Sequence, residues 1–358
     1  MMSRLARLIK LLDDKELDGV LVSKPVNVRY FSGFTGDSTV LIVDRQHKLL
    51  ITDGRYDDQA RVESPQFEIV KHEDGLIKMV ADRLKAINLS TVGFEGNVMT
   101  FDQHAKLREL LPDCKFVSID LNPLRQIKDG GEIELIKRAC SIADRAFGEV
   151  LNHIRAGVRE IDIAAELEHQ MRRLGSERPA FETIVASGLN GSYPHARASE
   201  KLIVDGEFVT MDFGAVFKGY HSDITRTVMV GRANDEQRRL YDAVLDAQLH
   251  GLREIRVGAS GKSVDKKVRD VLSMHGLEKY FTHGLGHGVG LEIHEEPRLS
   301  RLSKCEALAA GMVVTDEPGI YIVDVGGLRI EDTVLVTEDE AQPLTHSLKH
   351  LIELSPKF

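Results

Sequence analysis

An aspartate in the middle of an apolar strand is uncommon, and the stretch from Val209 to Val230 contains two. Asp212 interrupts VTMDFGAVF and Asp223 interrupts YHSDITRTVMV. Phe217, Lys218 and Gly219 lie between them as a tight turn. A turn centred on Phe217-Lys218 sets the two aspartates directly opposite each other, with Cβ atoms ~5 Å apart, and like charges so placed repel. A shared proton could neutralise them; a divalent cation does so better and also explains the apolar flanks. Two exposed aspartates on a sheet rim fit these residues alone equally well.

Three more segments carry chemistry. Thr282 to Gly290 reads THGLGHGVG, with four alternating glycines that permit close backbone approach. The glycines argue against a zinc-binding helix, although His283 and His287 are four apart, and no Lys-Ser/Thr follows to suggest a phosphate loop. An alternating strand puts both histidines on one face, where either could ligate a metal or be structural. Next come Glu317, in TDEPGIY, and Glu331, in GLRIEDTV. His195, in GSYPH, and His294, in EIHEEP, stand 99 residues apart.

These residues need a scaffold, and the sequence suggests that it is built twice. Ile154-Arg155-Ala156-Gly157 recurs as Ile255-Arg256-Val257-Gly258, and the following helices end at matching glycines, Gly175 and Gly276. Val209 to Gly214 resembles Val314 to Gly319, which pairs Asp212 with Glu317. Likewise Asp223 and Thr225 correspond to Glu331 and Thr333. Two similar halves, each a helix pair followed by a strand pair, then bring four carboxylates to one place. Four buried carboxylates are untenable without counter-charge, and two divalent cations would balance them.

Upstream of this repeat, helix and strand signals alternate. Helices are expected at Ser3–Leu17, Leu76–Ala86 and Thr100–Leu111, with strands at Gly19–Ser23, Thr39–Val43, Leu49–Thr52, Thr91–Glu95 and Lys115–Ser118. Asn122-Pro123 and Gly130-Gly131 predict a break, after which a long helix starts at Glu132 and is stopped by Gly157. The expected domains are 1–122, a linker at 123–130, and 131–358, an α+β arrangement.

The 358 residues, 42% hydrophobic and 29% charged, suit two globular cores. No run approaches the ~20 apolar residues of a membrane span. Charges throughout Met1–Val22 interrupt what a signal peptide would keep apolar, and three scattered cysteines form no disulfide framework, so a reducing cytoplasm is expected. A net charge of −9 without a basic run argues against nucleic acid as a partner.

The motifs resemble those of the pita-bread metallopeptidases, the family of methionine aminopeptidase, Xaa-Pro aminopeptidase and prolidase. The family pattern is D-x-G, S-D-x-T-R, G-H-G-x-G, E-P-G-x-Y and R-I-E-D, and all five occur here in order. NVRYFSGFTG and ITDGRY are similar to the creatinase-type N-terminal domain. The resemblance implies a small α/β N-terminal domain before a pseudo-symmetric pita-bread catalytic domain, and two metals held by Asp212, Asp223, His287, Glu317 and Glu331. By the same likeness Asp223 and Glu331 bridge the metals, His195 and His294 hold the substrate carbonyl or leaving nitrogen, and His283 and Arg329 line the substrate pocket. Asp316 is a departure, since the family more often has an apolar residue there; strand alternation should turn it away from the metals.

Carboxylate-rich ligation with one histidine suits Mn²⁺ first, then Co²⁺ or Zn²⁺. Two such ions ~3.5–4 Å apart share and activate a water, and Glu317 is placed to carry its proton to the leaving nitrogen. The expected activity is an aminopeptidase cutting before a proline at the second position of a peptide, with a homodimer implied by the likeness. The alternative is an Xaa-Pro dipeptidase. Methionine aminopeptidase fits less well because of the N-terminal domain. A metal-free amidinohydrolase and a non-catalytic binding protein of this architecture both lose ligands that this chain retains.

Overall fold

The computed structural model describes residues 2–323 and 325–355. The chain divides into two compact units, Met1–Arg125 and Gln126–Phe358; Asp324 and residues 356–358 of the second lie outside the described residues.

The first unit runs α1 (Arg4–Asp14), β1 (Gly19–Val22), α2 (Pro25–Ser32), β2 (Val40–Asp44), β3 (Lys48–Thr52), α3 (Asp57–Glu63), β4 (Glu68–Lys71), α4 (Leu76–Ala86), β5 (Thr91–Glu95), α5 (Phe101–Leu110) and β6 (Lys115–Ile119). Its sheet has the order β4-β3-β2-β1-β5-β6, antiparallel at β1/β2 and β2/β3 and parallel elsewhere. The Ser3 hydroxyl caps α1, and Thr100 with Gln103 forms a capping box on α5. The sequence reading missed α2, α3 and β4. Pro25 occupies the first turn of α2, where its missing N–H costs nothing, and Gly33 ends that helix at φ 85°.

The second unit holds α6 (Gly130–Val150), α7 (Glu160–Arg173), β7 (Ile184–Ser187), β8 (Phe208–Phe213), β9 (Val216–Phe217), β10 (Tyr220–His221), β11 (Ile224–Val230), α8 (Asp235–Glu254) and α9 (Gly261–Met274). Then follow β12 (Gly286–Gly288), β13 (Glu295–Leu299), β14 (Val313–Asp316), β15 (Gly319–Ile322), β16 (Gly326–Arg329), β17 (Asp332–Val336), β18 (Ala341–Pro343) and β19 (Glu353–Leu354). The two larger sheets are ordered β19-β11-β8-β7 and β13-β12-β14-β17-β18, and β9 with β10 and β15 with β16 form two-stranded pairs. Residues of α6 and α7 share a core with β8 and β11, and residues of α8 and α9 share one with β14 and β17, so each half has its own core.

Local corrections accompany this repeat. The long helix begins at Gly130, because the Asp129–Glu132 capping box pulls the glycine pair into its first turn. It ends at Val150; Gly157, at φ 83°, sits beyond it in the following turn. The β8–β11 hairpin turns at Lys218-Gly219, both at positive φ, rather than at Phe217-Lys218. A two-residue turn of this hand needs positive φ at both positions, which glycine supplies freely. The slip pairs Asp212 with Thr225 and makes Asp223 a diagonal neighbour on the same face instead of the opposite residue.

Candidate metal centre

The centre lies where the two hairpins meet. One carboxylate oxygen each from Asp212, Asp223 and Glu331 falls within 4.8 Å of the other two. Thr225 Oγ1 donates to Glu331 at 2.5 Å, and the Glu331 N–H donates to the Thr225 carbonyl at 3.1 Å. Thr333 answers from the other half: its hydroxyl donates to the Asp223 carbonyl at 2.7 Å and accepts the Asp223 N–H at 3.1 Å. These crossed bonds tie β11 to β17 through the residues beside the carboxylates.

His287 enters from β12. A Cβ on Gly286 would come within 2.1 Å of the Thr315 carbonyl and one on Gly288 within 2.5 Å of the Glu296 carbonyl, so glycine on both sides of His287 lets the strands approach. Nδ1 of His287 faces the Gly288 carbonyl at 3.0 Å and must donate there. Its Nε2 is therefore the lone-pair nitrogen, 3.5 Å from Asp223 and 3.6 Å from Glu317. Burial first, and the neighbouring His294 second, push the His287 pKa down to about 3, which keeps the ring a neutral donor. Glu317 accepts the Thr315 hydroxyl at 3.2 Å.

Arg329 backs the cluster. It donates to Asp212 at 2.7 Å, Thr225 Oγ1 at 3.0 Å and the Tyr321 hydroxyl at 2.5 Å. Tyr321 in turn donates to His283 Nε2 at 2.9 Å, while His283 Nδ1 donates to the Gly284 carbonyl. The segment carrying His283 is held by Arg269 of α9, which binds the carbonyls of Phe281 and His283 and pairs with Asp265 at 2.8 Å. Arg329 is thus committed to the cluster, and Tyr321 is a member that the sequence reading quoted without a role.

Burial dominates the electrostatics. It raises the carboxyl groups of Asp212, Asp223 and Glu331, with Glu331 and Asp212 adding to the rise at Asp223; Glu317 is pushed up to about 8. Four acids thus share one guanidinium, and Asp212 Oδ1 is buried with no hydrogen-bond partner. Oxygen-rich, under-compensated and supplied with one neutral imidazole, this donor set fits divalent cations.

A cavity of about 510 Å³ opens over the cluster. Asp212, Asp223, His283, His287, Glu317, Arg329 and Glu331 line it, together with His195 and His294, so every residue singled out from the sequence meets here. His294 packs edge-on against His287, with ring centroids 4.2 Å apart. Arg197 and Arg298 also line the cavity and were missed.

A twofold-repeated β hairpin pair converging on buried carboxylates and one histidine defines a metal-dependent hydrolase of the pita-bread fold. The chain belongs to metallopeptidase family M24, whose model matches residues 134–338, and carries the creatinase/prolidase N-terminal domain over residues 4–127. It is 40% identical to the Xaa-Pro dipeptidase of Pyrococcus furiosus, over 98% of this chain and 100% of that protein. Among solved structures, the Xaa-Pro dipeptidase from Bacillus anthracis superposes with a TM-score of 0.95 at 42% identity, covering 98% of this chain and 99% of that one. The X-Pro aminopeptidase from Thermotoga maritima gives 0.91 at 37% identity, covering 98% and 100%. Among the described residues no helix is long and apolar enough to cross a membrane.

Proposed function

We propose that this chain is an Xaa-Pro dipeptidase that works with two divalent cations, Mn²⁺ before Co²⁺ or Zn²⁺. The aminopeptidase reading stood first on sequence alone; the dipeptidase reading gains from the relatives and from one observation at the cavity rim. Arg298 lines the cavity with its side chain 66% exposed and its ion pair to Glu296 stretched to 3.9 Å. A guanidinium available on the wall of a peptide pocket suits a free carboxylate, and a dipeptide presents one immediately after its proline.

In this reading Asp212, Asp223, His287, Glu317 and Glu331 would hold the cations. When bound, the ions supply an activated water and polarise the scissile carbonyl. Glu317 then serves as the proton carrier: with counter-charge in place its carboxylate ionises, takes a proton from the attacking water and delivers it to the proline nitrogen. His294 and His195 donate to the carbonyl oxygen or steady the leaving nitrogen. His283 and Arg329 line the pocket, and Arg329 keeps Asp212 oriented. A cytoplasmic homodimer completes the reading, and sedimentation at micromolar concentration tests the assembly.

The deciding measurement compares Xaa-Pro with Xaa-Pro-Yaa substrates. We expect kcat/KM to favour the dipeptide by about 10²-fold, and Arg298→Met to raise KM for the dipeptide while leaving the tripeptide unchanged. Equal or faster tripeptide cleavage, with Arg298→Met silent, would establish the aminopeptidase reading that the Thermotoga maritima likeness favours.

A further inference from the structure

Behind the cavity wall lies an ion pair that the proposed chemistry does not use. Lys128 Nζ sits 3.2 Å from Glu295 Oε2, and both side chains are almost fully buried, at 1% and 4% exposed. Such a pair is costly to bury and costlier to break, because removing one member strands the other's charge.

Glu295 follows His294 in the chain and closes the turn on which His294 stands. Its Oε1 accepts the Glu292 N–H at 3.1 Å, and the Gly290 N–H donates to the Glu292 carbonyl at 3.0 Å. The carboxylate fills the space where Gly290 lacks a side chain: a Cβ there would lie 2.7 Å from Oε2. The Gly290 carbonyl receives the His221 N–H at 2.8 Å and faces His221 Nδ1 at 3.1 Å. The turn is thereby anchored to β10, just before Asp223. Lys128 is itself fixed, since its N–H donates to the Gly311 carbonyl at 2.8 Å and Ile127 bridges to Met312. A rigid chain of contacts therefore runs from the residues before α6, through one ammonium and one carboxylate, to the turn carrying the imidazole on the cavity wall.

We infer that Lys128 is a positioning residue for His294: its ammonium holds the Glu295 carboxylate inside the turn and so fixes where the His294 ring meets the substrate. This rests on the proposed role of His294 in catalysis. Without the ammonium, the Glu295 carboxylate turns out towards water and draws the turn with it. A displacement of about 1 Å in a catalytic group costs up to about 10²-fold in rate.

The test is a double-mutant cycle on the metal-loaded enzyme with an Xaa-Pro dipeptide, with metal content measured for each variant. Lys128→Met should lower kcat by about 10- to 100-fold with KM nearly unchanged and both metals retained. Lys128→Arg should restore most of the rate. On a His294→Ala background, Lys128→Met should cost almost nothing more, because there is no ring left to misplace. Multiplicative losses in the double variant, or loss of metal from Lys128→Met, would overturn the inference, as would wild-type turnover by Lys128→Met. Full activity in His294→Ala alone would instead sink the catalytic role of His294 and, with it, the basis for assigning Lys128. Should Lys128→Met fail to fold, Glu295→Gln, which keeps the turn's hydrogen bond but drops the charge, takes its place with the same expected pattern.

Discussion

The two halves of the catalytic unit place their acids by different geometry. In the first half, Asp212 pairs with Thr225 across the hairpin and Asp223 is offset along the strand. In the second, Thr315 pairs with Thr333 and Asp316 with Asp332, and continuing that register sets Glu317 opposite Glu331. The positions next to the acids differ still more. Met211, which precedes Asp212, is fully buried and apolar; Asp316, which precedes Glu317, is fully buried and acidic. Asp332 is compensated by Arg226 at 2.8 Å, Lys349 at 2.8 Å, Gln248 at 3.0 Å and Thr345 at 2.8 Å. Asp316 is not: both its oxygens are buried without a hydrogen-bond partner, pressed where Gly251 of α8 has no side chain. The comparison teaches that the repeat preserves the acids facing the cavity and leaves the opposite strand face free to diverge.

Four experiments press on that difference. The largest effect should come from the cavity face, where both halves supply acids. Asp223→Ala and Glu331→Ala should each lose bound metal together with activity, by about 10³-fold or more, read by elemental analysis beside steady-state kinetics. Metal uptake should also release protons, because Glu317 is pushed up to about 8 chiefly by burial and must ionise to serve. A folded-state carboxyl held above its ordinary value keeps its proton as pH rises, so metal affinity should strengthen between about pH 6 and 8. If only one alanine variant loses metal, the halves do not share the cluster equally.

The opposite face supplies the next effect. Arg226→Met removes one buried partner of Asp332, its guanidinium, together with the bonds to the Thr225 and Ser347 carbonyls. It should destabilise the protein by about 3–5 kcal/mol, measured by denaturant unfolding. Smallest, and of opposite sign, is Asp316→Val. Replacing an unpartnered buried carboxyl with an apolar group of similar shape should stabilise by about 1–3 kcal/mol, seen as a rise in Tm with metal content unchanged. A fall in Tm would mean that Asp316 does something its surroundings do not reveal.

Side chains that break an apolar pattern were the legible part of this molecule. Asp212, Asp223, Glu317 and Glu331 stand out because strands tolerate so few acids, and the repeat supplied their convergence without any coordinates. The placement of the turn was not legible, because the positive φ of Lys218 depends on the hairpin's twist and not on its own side chain. Short helices such as α2 escaped because a proline and eight residues carry too little periodicity. Arg298 and Tyr321 were hidden for another reason: their roles come from residues far away in sequence, which neither propensity nor spacing encodes.

The crossed threonine bonds bear on how quickly the molecule assembles. Thr225 and Glu331 are 106 positions apart, and Asp223 and Thr333 are 110. Contacts that close such long loops form late, after the entropy of the intervening chain has been lost. A cation that binds only the finished cluster therefore arrives after the rate-limiting step of folding. It should slow unfolding in proportion to its occupancy and leave the refolding rate nearly untouched, so the ion acts as a latch on the native state and not as a nucleus for reaching it.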